Sequence, residues 1–298
     1  MTIEDLLYAL MLASANEAAN VLAEYISGSI DEFAVLMNEK AIEIGCTNTN
    51  FLNANGMHDD NHYTTATDLA KIALYCLENE TFVKIIQTET YTMPATDQYP
   101  YTDRTLKNTC ALIGNDGKYY YQYAIGGKTG YTSQAGNCLV CFAKKDETYL
   151  VCVLLNANSS AERFSDATTL LEYGYNNFSN QTIVSKGTII ENIEISNATK
   201  ETRNLNLITE ENISDYLEND FSLDNLTYEI TLDENISAPV YSGTKLGEIT
   251  YTLNDKTYTI NLVAESTVYS AQNYGGYVLT IGLILLIVSI IIIPKRKK

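Results

Sequence analysis

The sequence predicts an α/β (α+β) body over residues 1–178, then a small all-β domain, then a C-terminal transmembrane helix. Three observations carry this reading. Apolar residues recur at helical spacing as far as Leu77, then give way to short strand-like segments and one closing helix. Past residue 180 the chain turns rich in Thr, Ile, Asn and Glu and alternates apolar with polar. Finally, Tyr274 to Ile293 contains no charged residue.

Thr2 is a candidate N-cap with Glu4 and Asp5 in the first turn, where carboxylates suit the helix dipole. Leu6, Leu7, Leu10, Met11, Ala18, Val21, Leu22 and Tyr25 then read as one helix that Gly28 stops. Ser29-Ile30-Asp31-Glu32 has the form of a capping box opening a second helix, which ends at Gly45. A third helix begins at Thr67 or Asp68 and runs through Leu77. Strands are expected at Thr88 to Met93, Tyr119 to Ala124, Gly127 to Thr132, Asn137 to Ala143 and Thr148 to Leu155, the last two joined by Lys144-Lys145-Asp146-Glu147. A helix over Ala161 to Tyr175 closes the body. Ile249-Thr250-Tyr251-Thr252-Leu253 and Tyr258-Thr259-Ile260-Asn261-Leu262 mark the β domain, residues 179–270.

The chain has 298 residues, 46% of them apolar and 19% charged, which excludes wholesale disorder and low complexity. Its formal net charge is −18, and such an acidic body repels phosphate backbones, so nucleic acid is excluded as a partner. The uncharged run Tyr274 to Ile293 would form a helix of about 30 Å, enough to cross a bilayer core. Pro294-Lys295-Arg296-Lys297-Lys298 follows as a basic stop, so the positive-inside rule places this tail in the cytoplasm and the bulk of the chain outside the cell membrane. The acidic start, Met1-Thr2-Ile3-Glu4-Asp5, is no signal sequence.

Six cysteines lie at 46, 76, 110, 138, 141 and 152. Cys138 and Cys141 fall three apart on an expected strand and so point to opposite faces, which suits neither zinc nor a redox dithiol. We read the cysteines as buried thiols acting as small hydrophobes. His58-Asp59-Asp60-Asn61-His62 reads as a loop rather than a metal site, Glu17 as an exposed helix face, and the 23 tyrosines as sheet packing. No metal or other cofactor is expected.

Two motifs remain. Ser14-Ala15-Asn16 interrupts the Leu-rich pattern, and Lys128-Thr129-Gly130 follows Gly126-Gly127 at the head of the strands. Together with Thr2-Ile3-Glu4-Asp5-Leu6-Leu7, Phe33-Ala34-Val35-Leu36-Met37-Asn38, Thr47-Asn48-Thr49-Asn50-Phe51, His62-Tyr63-Thr64-Thr65-Ala66, Asp68-Leu69-Ala70 and Gly127-Lys128-Thr129-Gly130-Tyr131-Thr132, they make residues 1–178 resemble the serine-type D-alanyl-D-alanine carboxypeptidases, the low-molecular-mass penicillin-binding proteins.

The resemblance implies a partial serine β-lactamase/DD-peptidase-like transpeptidase domain, with peptidoglycan stem peptides ending in D-Ala-D-Ala as substrate and β-lactams as inhibitors. It implies that Ser14 relays a proton to the leaving amine and that Asn16 holds the substrate amide. Lys128 and Thr129 would bind the terminal carboxylate, Gly130 would let the substrate lie close, and the Tyr131 N–H would form half of the oxyanion hole. Gly126-Gly127 would likewise admit a close-fitting ligand. The family's S-x-x-K nucleophile and base should precede Ser14, yet the one match is Ser242-Gly243-Thr244-Lys245, in a β-domain turn. We therefore expect an N-terminally truncated D-Ala-D-Ala carboxypeptidase, the alternative being a catalytically inactive remnant or a membrane-tethered structural module at the cell surface.

Overall fold

The structure, a computed structural model, describes residues 1–271 except 102, 115–116, 224–225 and 254–255. It divides into two compact units, Met1–Asn177 and a second beginning at Phe178. The expected span Tyr274 to Ile293 lies outside the described residues, among which no helix is long and apolar enough to cross a membrane.

The first unit opens with three helices, α1 (Ile3–Ala13), α2 (Asn16–Ser27) and α3 (Ile30–Glu43). Thr2 and Asp5 cap α1 reciprocally in a full capping box. The single long helix expected up to Gly28 is in fact α1 and α2, broken where Ser14 takes a left-handed φ of 57°. The sequence marks the place as an interruption of the Leu-rich pattern, but Met11 and Ala18 on its two sides are seven residues apart, a helical repeat, so the spacing predicts one helix through it. Ser29 caps α3 by accepting the Glu32 N–H, and Gly28 and Gly45 take the positive φ that ends a helix.

Helix α4 (Ala66–Leu77) starts behind its Thr65 cap, and α5 (Glu80–Ile86) follows at once, capped by Asn79. The sequence reading omits α5, because seven residues are too few to establish a period. The expected strand Thr88 to Met93 shrinks to β1 (Thr90–Thr92), which pairs with β2 (Thr105–Lys107). Asp5 fastens this hairpin to α1 by accepting the Tyr91 hydroxyl at 2.8 Å, while Tyr8 stacks on Tyr91 with ring centroids 3.9 Å apart. Burial alone would raise the Asp5 carboxyl, but the Thr2 and Tyr91 hydrogen bonds hold it below its ordinary value.

An antiparallel sheet of β3 (Ala124–Thr132), β4 (Gly136–Lys145) and β5 (Thr148–Ala157) forms the platform, in that order, so β3 is an edge strand. Helix α6 (Glu162–Asn177) packs on it through Phe164, Ala167 and Leu171. Tyr119 to Ala124, expected as a strand, runs as turns up to Ala124. Three of its four tyrosines pack inward instead, while Tyr120 stays exposed: Tyr119 lies on Phe164 with centroids 5.5 Å apart, and Tyr123 meets Tyr121 and Tyr175 edge-on. Burial of these rings overrides their β-propensity. All six cysteines are free; Cys46, Cys110, Cys141 and Cys152 are buried as expected, whereas Cys76 and Cys138 are only half-buried.

The second unit is all-β. Strands β10 (Thr227–Leu232), β11 (Lys245–Leu253), β12 (Lys256–Ala264), β8 (Asn204–Thr209) and β7 (Ile189–Glu194) form one antiparallel sheet in that order, and β6 (Phe178–Val184) pairs with β9 (Ile213–Glu218) in another. Ile249, Tyr251 and Leu253 point inward between half-buried Thr250 and Thr252, the alternation visible in the sequence. One core cluster, with Leu205, Leu207, Ile249, Leu262 and Val268 fully enclosed, serves both sheets.

Candidate active site

The site forms where the α1–α2 corner meets strand β3. Ser14 caps α1 from a left-handed conformation, donating its N–H to the Ala9 carbonyl. A non-glycine residue held there costs about 1 kcal/mol, and the turn leaves Ser14 exposed at the corner. Lys128, 114 residues later and half-buried on β3, donates from Nζ to Ser14 Oγ at 2.6 Å and to its neighbour's carbonyl, Thr129 O, at 2.6 Å. Two of the residues singled out in the sequence are thus brought into direct contact.

Burial pushes the Lys128 ammonium down to about 8, and the like charge of Arg163 pushes the same way. Arg163 stands in the first turn of α6. Its Nη1 donates to Gly130 O at 3.4 Å, its Nη2 to Ser160 Oγ at 3.1 Å, and its guanidinium lies over the Phe164 ring. The segment 128–130 therefore carries one cation, Lys128, and touches a second, Arg163, on a strongly acidic protein. A desolvated ammonium that gains an anionic partner recovers the solvation it lost, so this corner favours a carboxylate. Sequence reasoning missed Arg163; nothing marks it locally except that it and Arg104 are the two arginines of residues 1–178.

Thr129 is buried, and its hydroxyl donates to Thr109 Oγ1 at 2.9 Å. Tyr131 is 69% exposed and pairs in register with Asn137 of β4. Asn16 is exposed beside Ser14, with its side-chain amide 3.8 Å from Met57 Sδ, so this member of the pair faces the Met57 loop.

The glycines divide into two kinds. At Gly126 (φ 146°) a Cβ would stand 2.5 Å from Ile86 O, and at Gly127 one would stand 2.6 Å from Val140 O. These two are therefore required by backbone packing, not by room for a ligand, which corrects the reading from sequence. Gly130 differs, since a Cβ there meets nothing nearer than Cys138 Cβ at 3.6 Å.

The other candidates have partners of their own. His62 Nδ1 accepts the Leu52 N–H at 3.1 Å and its ring meets Phe51 edge-on, while His58 pairs with Asp60. Glu17 is exposed. In the β domain, Ser242 Oγ donates to Glu265 O at 3.0 Å and Lys245 Nζ bonds Glu248 at 2.5 Å. That S-x-x-K is two separate surface contacts.

A Ser-x-Asn corner hydrogen-bonded to the lysine of a Lys-Thr-Gly edge strand, with helices packed on an antiparallel sheet, defines the class of penicillin-binding serine peptidase folds. The chain belongs to the D-alanyl-D-alanine carboxypeptidase family, the low-molecular-mass penicillin-binding proteins. The family model of that description matches residues 1–159, and that of the penicillin-binding protein 5 C-terminal domain matches residues 178–270. The D-alanyl-D-alanine carboxypeptidase DacF of Bacillus subtilis is 32% identical over 250 residues, 84% of this chain and 61% of its own length. The D-alanyl-D-alanine carboxypeptidase of Streptomyces strain K15 is 35% identical over 59% of this chain and 61% of its own. This chain thus spans about three fifths of the length of these relatives. Among solved structures, penicillin binding protein 5 from Haemophilus influenzae superimposes with a TM-score of 0.63 at 25% identity, covering 91% of this chain and 75% of that one. The D-alanyl-D-alanine carboxypeptidase DacD from Francisella tularensis gives 0.61 at 26%, covering 91% and 76%.

Proposed function

We propose that this chain carries the substrate-recognition part of a serine-type D-Ala-D-Ala carboxypeptidase, which removes the terminal D-alanine from peptidoglycan stem peptides. The observation that carries the reading is the 2.6 Å contact of Lys128 Nζ with Ser14 Oγ. The terminal carboxylate of the substrate would sit on the Lys128 ammonium, the Thr129 hydroxyl and the Arg163 guanidinium, in charge-assisted hydrogen bonds. β-Lactams present a carboxylate to the same groups. Edge strand β3 would align the peptide, with Gly130 admitting it closely and the Tyr131 N–H facing the carbonyl oxygen as charge develops there. Asn16 would turn from Met57 to hold the substrate amide. Ser14 would take up the proton that the base removes from the nucleophile and pass its own to the leaving D-alanine nitrogen, as the bond from the nucleophile to the acyl carbon forms and the peptide C–N bond breaks. The nucleophile and its base come from the S-x-x-K pattern, which residues 1–178 do not contain. Tyr274 to Ile293 would hold the enzyme on the cell membrane with its site outside.

The recognition step is tested by titrating the 298-residue protein with N-acetyl-D-Ala-D-Ala and with its C-terminal amide, following amide chemical shifts. Tighter binding of the acid, with shifts at Lys128 to Tyr131, is expected; equal binding of the two rejects the clamp. The second reading is an inactive remnant or tethered module. Fluorescent penicillin addresses it: the 298-residue chain should form no adduct that survives denaturation, whereas the same chain joined behind an S-x-x-K segment of the family should form one. Removal of residues 274–298 should release the protein from membranes, and retention after a high-salt wash would overturn the tether.

A further inference from the structure

Thr109 lies in a loop that neither the motifs nor the family resemblance singles out, yet it touches both halves of the site. Its hydroxyl accepts from Thr129 Oγ1 at 2.9 Å, and its backbone N–H donates to Leu12 O at 3.1 Å. Leu12 belongs to the last turn of α1, two residues before the strained Ser14. The loop itself is fixed by Asn108, which is buried. Asn108 Nδ2 donates to Ile86 O at 3.1 Å and Thr88 O at 3.0 Å, its Oδ1 accepts the Cys110 N–H at 2.9 Å, and its backbone N–H donates to Glu89 O at 2.8 Å. Thr109 is thereby locked at one position, with its side chain at the surface beside Thr129.

We propose that Thr109 is a positioning residue of the carboxylate clamp, acting through Thr129. The inference rests on the recognition role proposed above, and its chemistry follows from counting protons. A threonine hydroxyl has one proton to give. In the free protein Thr129 gives its proton to Thr109, so it has none for a ligand. When a carboxylate arrives, the pair reverses. Thr109 donates to Thr129 Oγ1, and Thr129 donates to the carboxylate, so the two hydroxyls form a chain that ends on the anion. Successive bonds in such a chain polarise and strengthen one another. No proton leaves the pair, and the net change is the direction of both O–H groups. Thr109 also ties the clamp strand to the end of α1, so the hydroxyl that binds the carboxylate and the corner that presents Ser14 share one anchor.

The test is a double-mutant cycle on the 298-residue protein, with N-acetyl-D-Ala-D-Ala and its C-terminal amide as probes. Thr109→Val keeps the shape and removes the hydroxyl. It should weaken binding of the acid about fivefold to tenfold, the loss of a supporting hydrogen bond, and leave the amide unchanged. Thr109→Ser should restore the acid's affinity, because it restores the hydroxyl. With Thr129 already changed to Val, the further change Thr109→Val should cost nothing, because Thr109 then has nothing to orient. Equal losses for Thr109→Val in both backgrounds would overturn the proposal and make Thr109 a direct ligand contact. So would acid affinity within twofold of the parent for a folded Thr109→Val. If Thr109→Val fails to fold, Thr109→Ala takes its place in the same cycle, with the same outcomes. A parent protein that binds acid and amide equally defeats the clamp itself, a result distinct from any effect of Thr109.

Discussion

The molecule holds two serine–lysine pairs, and they invert what their sequence positions suggest. Ser242 and Lys245 are three residues apart in the S-x-x-K spacing, yet they turn to different partners, Glu265 O and the Glu248 carboxylate. Ser14 and Lys128 are 114 residues apart and sit 2.6 Å from one another. Their surroundings differ as well. Lys245 and Glu248 are both exposed, and their pairing raises the Lys245 ammonium above its ordinary value. Burial lowers Lys128 to about 8, where the side chain lacks a carboxylate partner among the described residues. A cation with its counter-charge already supplied is a solvated surface feature. Lys128, half-buried without a counter-charge beside the Ser14 corner, is the kind of cation that the proposed carboxylate clamp requires.

The largest effect that separates the two regions should come from the support beneath the first pair. Asn108→Ala leaves two carbonyls and one N–H unpaired in a buried loop and should destabilise the protein by about 2–4 kcal/mol in urea denaturation. Ser242→Ala, which removes one surface contact, should stay within about 0.5 kcal/mol of the parent. Matching values for the two would break the contrast.

Next in size, Lys128→Ala should lower affinity for N-acetyl-D-Ala-D-Ala by about tenfold to a hundredfold, the worth of a charge-assisted hydrogen bond. Lys245→Ala should leave it within twofold, and a comparable loss there would show the ligand resting on the wrong domain.

The pH dependence sharpens the comparison further. Only protonated Lys128 attracts a carboxylate, and the ligand stays ionised across this range. Affinity should be flat from pH 6 to 7 and fall as pH rises past about 8, by about tenfold at pH 9. Titrations at pH 6, 7, 8 and 9 check this, and affinity that holds to pH 10 would place the charge elsewhere. Lys128→Ala should flatten the profile.

Much of this was legible beforehand. The strands β3, β4 and β5, the closing helix and the alternation of the second unit were readable because each has a period and a turn at its end. The site motifs were readable as residue types, while the contact of Lys128 with Ser14 was not among the expectations. Three features were hidden. The Ser14-Ala15-Asn16 interruption is visible, but it does not reveal that the chain turns a corner there through a left-handed Ser14. The Tyr119 to Ala124 segment has strand propensity but runs as turns that pack Tyr119, Tyr121 and Tyr123 inward. Gly126 and Gly127 are small because Ile86 O and Val140 O press on them, which depends on neighbours 40 and 13 residues away.

The sequence by itself determined the family, through a resemblance carried by its motifs, and the two-part organisation, through the change to period-two alternation past residue 180. Only the tertiary structure decided which polar groups meet. Arg163 reaches Gly130 from α6, and Thr109 reaches Thr129 from a loop anchored by Asn108. Electrostatic and hydrogen-bond energies depend on distance through space and on exclusion of water, and neither quantity is encoded in separation along the chain.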